Sequence, residues 1–199
     1  LSPFSQATSC SSCEHTDAPN DDIECVAPPF APADRDALKA AVDSCVGASG
    51  DGSACDSSSY GPIGTWDVSA VTTLVNMFEN AAAFNQDLSN WNTGAVTSLQ
   101  GTFKYASAFN GDISTWDTSK VATLDATFGY AAAFNQDLTG WDVSSVTSFR
   151  SIFSDAATFN GDISTWNTVK LTNLDTAFIR ASAFSGDISK WDVSSVTNL

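Results

Sequence analysis

Any chemistry in this chain of 199 residues has to come from few side chains, because His15 is its only histidine. Cys10, Cys13, His15 and Cys25 lie close enough in sequence to suggest zinc, although the spacing departs from that of established zinc modules. Disulfides are the favoured reading, because all five cysteines (these three with Cys45 and Cys55) precede residue 56 and none follows. Cys45 and Cys55 flank a Gly/Ser/Asp loop and are expected to close it, and two of Cys10, Cys13 and Cys25 are expected to pair. The odd cysteine is left free, bridges two chains or binds something else. Serine and threonine are abundant, but none of those after residue 60 has a histidine base nearby in sequence. A nucleophilic triad therefore lacks raw material. No glycine-rich phosphate loop with its lysine occurs either.

Carboxylates are the remaining chemical resource, and they come as two ladders. Asp87, Asp112, Asp137, Asp162 and Asp187 form the first. Asp67, Asn92, Asp117, Asp142, Asn167 and Asp192 form the second, each following a tryptophan. Paired carboxylates can hydrolyse glycosides, but a residue recurring in one slot points to structure rather than to a unique acid and base. No enzyme is expected. Carboxylates stacked ~4.8 Å apart would repel by about 0.9 kcal/mol in water and about 3.5 at an effective dielectric of about 20. Backbone N–H groups of tight turns are the favoured compensation. Bound Ca²⁺ is the alternative, and it is the one cofactor these residues admit. The second ladder is expected to face a concave sheet surface. That surface is read as solvated, or as a polar groove for a protein or glycan partner.

The frame that positions these residues is a strict repeat. Tryptophan occupies 66, 91, 116, 141, 166 and 191 and no other position. Phe78, Phe103, Phe128, Phe153 and Phe178 keep the same interval of 25, as do Phe84, Phe109, Phe134, Phe159 and Phe184. Self-similarity at this period marks a stacked array, and the fixed aromatics Trp66, Trp91, Trp116, Trp141, Trp166 and Trp191 are expected to form its core. Within a unit, the x-Trp-x-Val alternation predicts a very short parallel strand. Apolar residues at 71, 74, 78, 81 and 82 predict a short helix, capped by Ser69 or Thr72. Tyr105 and Tyr130 are expected to lie exposed side by side, as a candidate partner contact.

The fold class expected is thus α/β: a leucine-rich-repeat-type solenoid with 25-residue coils, each a short parallel strand plus a short helix. Residues 1–30 read as an extended, cysteine-containing tail. Residues 31–60 read as an N-terminal cap built from an amphipathic helix and the Cys45–Cys55 loop. Residues 61–199 read as the repeat array, which stops part-way through a coil at Leu199 and is expected to be incomplete or covered by a neighbour at that end.

Net charge excludes some partners. Eight basic residues against 23 acidic give −15, which disfavours nucleic acid and anionic membranes. No apolar run approaches the roughly 20 residues of a membrane span, so direct insertion is not expected.

The recurring Phe134-Asn135-Gln136-Asp137-Leu138 followed by Trp141-Asp142-Val143-Ser144 and Val146-Thr147 resembles the BspA-like leucine-rich repeat. The entry Tyr60-Gly61-Pro62-Ile63 before Trp66-Asp67-Val68-Ser69 is similar to that family's N-terminal cap. The resemblance covers roughly residues 31–199. It implies a secreted or cell-surface protein, adhesion or protein binding for some members, and no shared catalytic activity. A protein partner or neighbouring subunit is therefore expected, with a glycan as the alternative.

Overall fold

A computed structural model describes residues 28–199; Cys10, Cys13, His15 and Cys25 lie outside the described residues. The described residues form one α-helix, α1 (Arg35–Ser49), followed by a column of stacked coils. Asp34 caps α1 by accepting a hydrogen bond from the Ala37 N–H at 2.9 Å. Gly50, at φ 77°, ends it. Leu38, Ala41, Val42 and Cys45 fall on one face at helical spacing, and all four are buried. Cys45 is bonded to Cys55, closing the loop after the helix. Arg35 donates from Nη2 to the Val75 carbonyl at 2.8 Å, and Gln86 donates to the Asp51 carbonyl at 3.2 Å, so the cap is tied to the first coil. Phe30 packs edge-on against Tyr60 and Trp66, with ring centroids 4.7 and 5.0 Å away.

The coils stack by aromatic side chains in register. Trp91 and Trp116 lie 6.2 Å apart at 3°, and Trp116 and Trp141 lie 6.4 Å apart at 6°. Trp166 and Trp191 are 6.0 Å apart. Two phenylalanine series run beside them: Phe103 is 5.8 Å from Phe128, and Phe109 is 6.0 Å from Phe134. The two series touch within each coil, as in Phe103–Phe109 at 3.8 Å. All six tryptophans are buried, and each gives its indole N–H to a backbone carbonyl. The core thus holds large rings without stranding a donor.

The expected α/β architecture, with a short strand and a short helix in each coil, is not what the backbone adopts. Among the described residues α1 is the one α-helix, and no sheet forms. Strand pairing shrinks to isolated parallel bridges, Ser98 to Thr123, Thr123 to Ser148, Ser148 to Asn173 and Asn173 to Asn198. These bridges lie after the Trp-x-Val segment, not on it, so the alternation there produces no strand. Nor do Ser69 and Thr72 cap a helix.

Hydrogen-bond destination explains the missing helices. In a helix each N–H would bond four residues back. Here the N–H groups of Leu74, Asn76, Phe78 and Asn80 donate to the carbonyls of Ser98, Gln100, Thr102 and Lys104 in the next coil, at 2.8–3.0 Å. Such alternation requires left-handed residues: Asn76 and Asn80 have φ 54° and 64°. The same two slots hold Gly101 and Tyr105, Ala126 and Tyr130, Ser151 and Asp155, then Thr176 and Arg180, all at positive φ. Apolar spacing resembling a helix is therefore produced by successive tight turns. At Gly101 the missing Cβ also leaves room for the Asn76 side chain, whose Oδ1 would lie 2.1 Å from it.

Candidate functional site

Each carboxylate of the first ladder closes its own turn. Oδ1 of Asp87, Asp112, Asp137, Asp162 and Asp187 accepts the N–H of Ser89, Ser114, Thr139, Ser164 and Ser189, at 2.8–2.9 Å. These bonds from the backbone, followed by those of the serine hydroxyls, hold Asp112, Asp162 and Asp187 below the ordinary carboxylate range.

The second ladder repeats the device one turn later. Asp67, Asp117, Asp142 and Asp192 accept the N–H of Ser69, Ser119, Ser144 and Ser194, at 2.9–3.0 Å. Asn92 and Asn167 do the same toward Gly94 and Val169, at 3.2 and 3.3 Å. Serine hydroxyls first, and backbone N–H groups second, lower the four aspartates. Asp117 opposes this at Asp142, while Lys170 assists. All six residues are exposed. They line no sheet, because none exists among the described residues. No group of three or more His, Cys, Asp or Glu is placed to hold a metal among the described residues.

One ladder escaped the sequence reading. Oδ1 of Asn85, Asn110, Asn135 and Asn160 accepts the N–H of Asn110, Asn135, Asn160 and Ser185, each 25 residues later, at 2.7–2.8 Å. Its signal was the Asn that follows Phe84, Phe109, Phe134 and Phe159, a residue suited both to the turn and to bonding the next one.

What the repeat fixes is structural, so function is sought where the coils differ. The slot nine residues after each tryptophan holds Val75, Gln100, Asp125, Arg150 and Asp175. The slot 14 after holds Asn80, Tyr105, Tyr130, Asp155 and Arg180. Slot 14 is itself a left-handed position and slot nine precedes the other, and ion pairs between coils lie along this stripe. Arg180 Nε and Nη2 donate to the two carboxylate oxygens of Asp155, at 2.5 and 2.8 Å. Arg150 Nε meets Asp125 at 3.3 Å, and Lys104 meets Glu79 at 3.4 Å. Ser148 also donates to Asp125. Arg180 above all, then Ser154 and the Tyr130 hydroxyl, holds the Asp155 carboxyl below its usual range.

Tyr105 and Tyr130 stack at 4.6 Å and remain 39% and 38% exposed, the two exposed large aromatics among the described residues. Beside Tyr130 a groove of about 340 Å³ runs along four coils, with Lys104, Arg150 and Arg180 as its charged lining and Ser151, Ser154 and Thr176 as its hydroxyls. Neither phenylalanine series, and neither acidic ladder, contributes to it. Its residues do not recur from coil to coil, which is why a search for periodic motifs passes over most of them.

No curated protein and no solved structure matches the chain. Two overlapping stretches, residues 52–157 and 112–199, match one family profile. By that coverage, the chain belongs to the family described as Mycoplasma protein of unknown function, DUF285.

Proposed function

We propose that this protein is a non-enzymatic extracellular or cell-surface module whose stacked coils hold out a non-repeating stripe of side chains for adhesion or for assembly with a partner. The observation that carries this reading is the contrast between consumed and varied positions. Both acidic ladders are spent on closing their own turns. The side chains at slots nine and 14 after each tryptophan vary along the column, the Tyr105–Tyr130 pair apart, and none is buried. The Cys45–Cys55 bond supports an oxidising compartment. The resemblance of the repeat to BspA-like sequences supports the same reading. A turn-closing aspartate with a lowered pKa is poorly suited to general acid work, which needs a proton near neutral pH.

Beads coated with the full chain provide the test, on arrays of extracellular-matrix proteins, on immobilised glycans and on a surface carrying the same chain. Retention on at least one of these, lost when Lys104, Tyr105, Tyr130, Arg150 and Arg180 are all changed to Ala, is the expected result. Unchanged tryptophan fluorescence would show that the column survives the changes. No retention on any surface, or retention indifferent to the five substitutions, overturns the reading.

A further inference from the structure

Charge is unevenly placed on this acidic chain. Three of its eight basic side chains, Lys104, Arg150 and Arg180, line the groove beside Tyr130, although they come from three different coils. Among the described residues no carboxylate lines it. Glu79, Asp125 and Asp155, which pair with these cations, stand outside the lining. The carboxylates therefore hold the cations in place without entering the groove.

Hydrogen-bonding capacity in the lining is lopsided. Lys and Arg donate and never accept. Arg180 gives Nε and Nη2 to Asp155, and Arg150 gives Nε to Asp125 at 3.3 Å. Nη1 and Nη2 of Arg150, and Nη1 of Arg180, meet no acceptor among the described residues. The hydroxyls are partly committed: Ser151 and Thr176 bond each other at 2.7 Å, and Ser154 donates to Asp155. The N–H groups of Ala126, Tyr130, Ser151 and Ser154 already donate to carbonyls within the column. A ligand that fits must therefore bring acceptors, and a planar carboxylate matches the two-nitrogen edge that Arg150 leaves open.

We infer that the groove binds the end of a glycan that carries a single carboxylate on a hydroxyl-rich ring, a sialic or uronic acid unit. The inference rests on the reading of the stripe as a binding surface and adds the class of ligand. Arg150 takes the carboxylate, and Lys104 and Arg180 add charge. Ser151, Ser154 and Thr176 meet the ring hydroxyls. Tyr130 and Ile179, 38% and 42% exposed, give apolar surface to its C–H face. Other ligands fit less well. A neutral sugar leaves the Arg150 edge without an acceptor. A polyanion meets three cations already matched by three carboxylates, on a chain of net charge −15, so a run of charges is repelled. An extended peptide needs main-chain partners, and the lining backbone has spent its N–H groups. The volume of about 340 Å³ lies at the lower end of small-ligand sites, about 300–1,000 Å³, and suits a single ring.

Titration calorimetry of the full chain with sialyllactose and with glucuronic acid tests the inference, each against its uncharged counterpart, lactose or glucose. At least one acidic sugar is expected to bind with a dissociation constant of about 1 mM, and its counterpart about tenfold more weakly or not at all. Arg150→Ala should weaken binding by about tenfold or more. Arg150→Lys keeps the charge without the planar edge and should restore only part of the loss. Lys190→Ala removes the same charge away from the groove and should leave binding unchanged. Unchanged tryptophan fluorescence would show that each variant keeps the column. Failure of both acidic sugars to bind at about ten times that concentration overturns the inference. So does equal binding of a neutral counterpart or of acetate, or binding indifferent to Arg150→Ala. Polygalacturonate bound more tightly per ring than glucuronic acid would overturn the single charge. Stripe-dependent retention of beads on a matrix protein, with no sugar bound, would defeat the ligand class alone. Loss of both would defeat the functional reading as well.

Discussion

The indole N–H of Trp141 donates to the carbonyl of Ile113, 28 residues earlier, at 3.1 Å. This bond reaches from one coil into the preceding one, and its counterparts at Trp91, Trp116, Trp166 and Trp191 repeat it at 2.9–3.2 Å. Each tryptophan thus serves two coils, filling one and tying down the backbone of the other.

Removing one such ring should be felt on both sides. Trp141→Ala leaves a large cavity and is expected to cost about 3–5 kcal/mol. Urea unfolding measures the loss. Amide exchange should show lowered protection at the N–H groups of both Ala122 and Thr147, which donate to the carbonyls of Thr97 and Ala122 one coil earlier. A destabilisation below ~1 kcal/mol would contradict the account of the core.

Acid should loosen the turns. The folded chain lowers the pKa of Asp112, Asp162 and Asp187, first through backbone N–H groups and then through serine hydroxyls. A lowered folded pKa contributes stability that is present above the ordinary carboxylate value and lost as pH falls through the folded one. Stability should therefore decline below about pH 4. Replacing these three by Asn, which closes the equivalent turn at Asn92, should retain the fold and flatten that decline. Urea midpoints near pH 7 and about pH 3 make the comparison. An equally steep acid limb in the triple variant would show that these carboxylates are not its source.

Reduction should weaken the cap before the column. The Cys45–Cys55 bond closes a loop of sequence separation 10, worth about 2–3 kcal/mol in the chain-entropy treatment. Dithiothreitol, or Cys45→Ala with Cys55→Ala, should lower the melting temperature. It should also expose α1 to proteolysis while the Trp141 region stays protected. No change in melting would show that the hydrophobic face of α1, with Leu38 and Val42, suffices to hold the cap.

Much of the column could be read from sequence because its period is carried by side chains that have one place to go. Trp and Phe recurring at an interval of 25 need a shared interior, and the stacked rings occupy it. The backbone path was less legible. Leu74, Phe78 and Ala81 have helical spacing, and all three are buried, yet no helix results. Periodicity reports which residues turn inward, not where an N–H finds its acceptor. Positive φ at Asn76 and Asn80 was the decisive feature. Its sequence trace is faint, because Tyr105, Ala126 and Arg180 occupy the equivalent slots with no shared preference for that conformation. The acidic ladders drew attention through repetition, and repetition is what a turn requires. Tyr130, Asp155 and Arg180 stand out only when the coils are aligned and compared for difference.

Bonding between coils also fixes the unit in which such a chain can lengthen or shorten. Leu99, Gly101, Phe103 and Tyr105 find acceptors at Thr123, Asp125, Thr127 and Gly129, and every adjoining coil keeps that offset. Excising or duplicating a whole coil joins like surfaces and preserves each partnership. Inserting a single residue shifts every downstream donor away from its acceptor at once. Gene rearrangement in such an array is therefore quantised, with whole coils tolerated and fractions penalised, and the varied stripe can be reshuffled coil by coil without redesigning the interior.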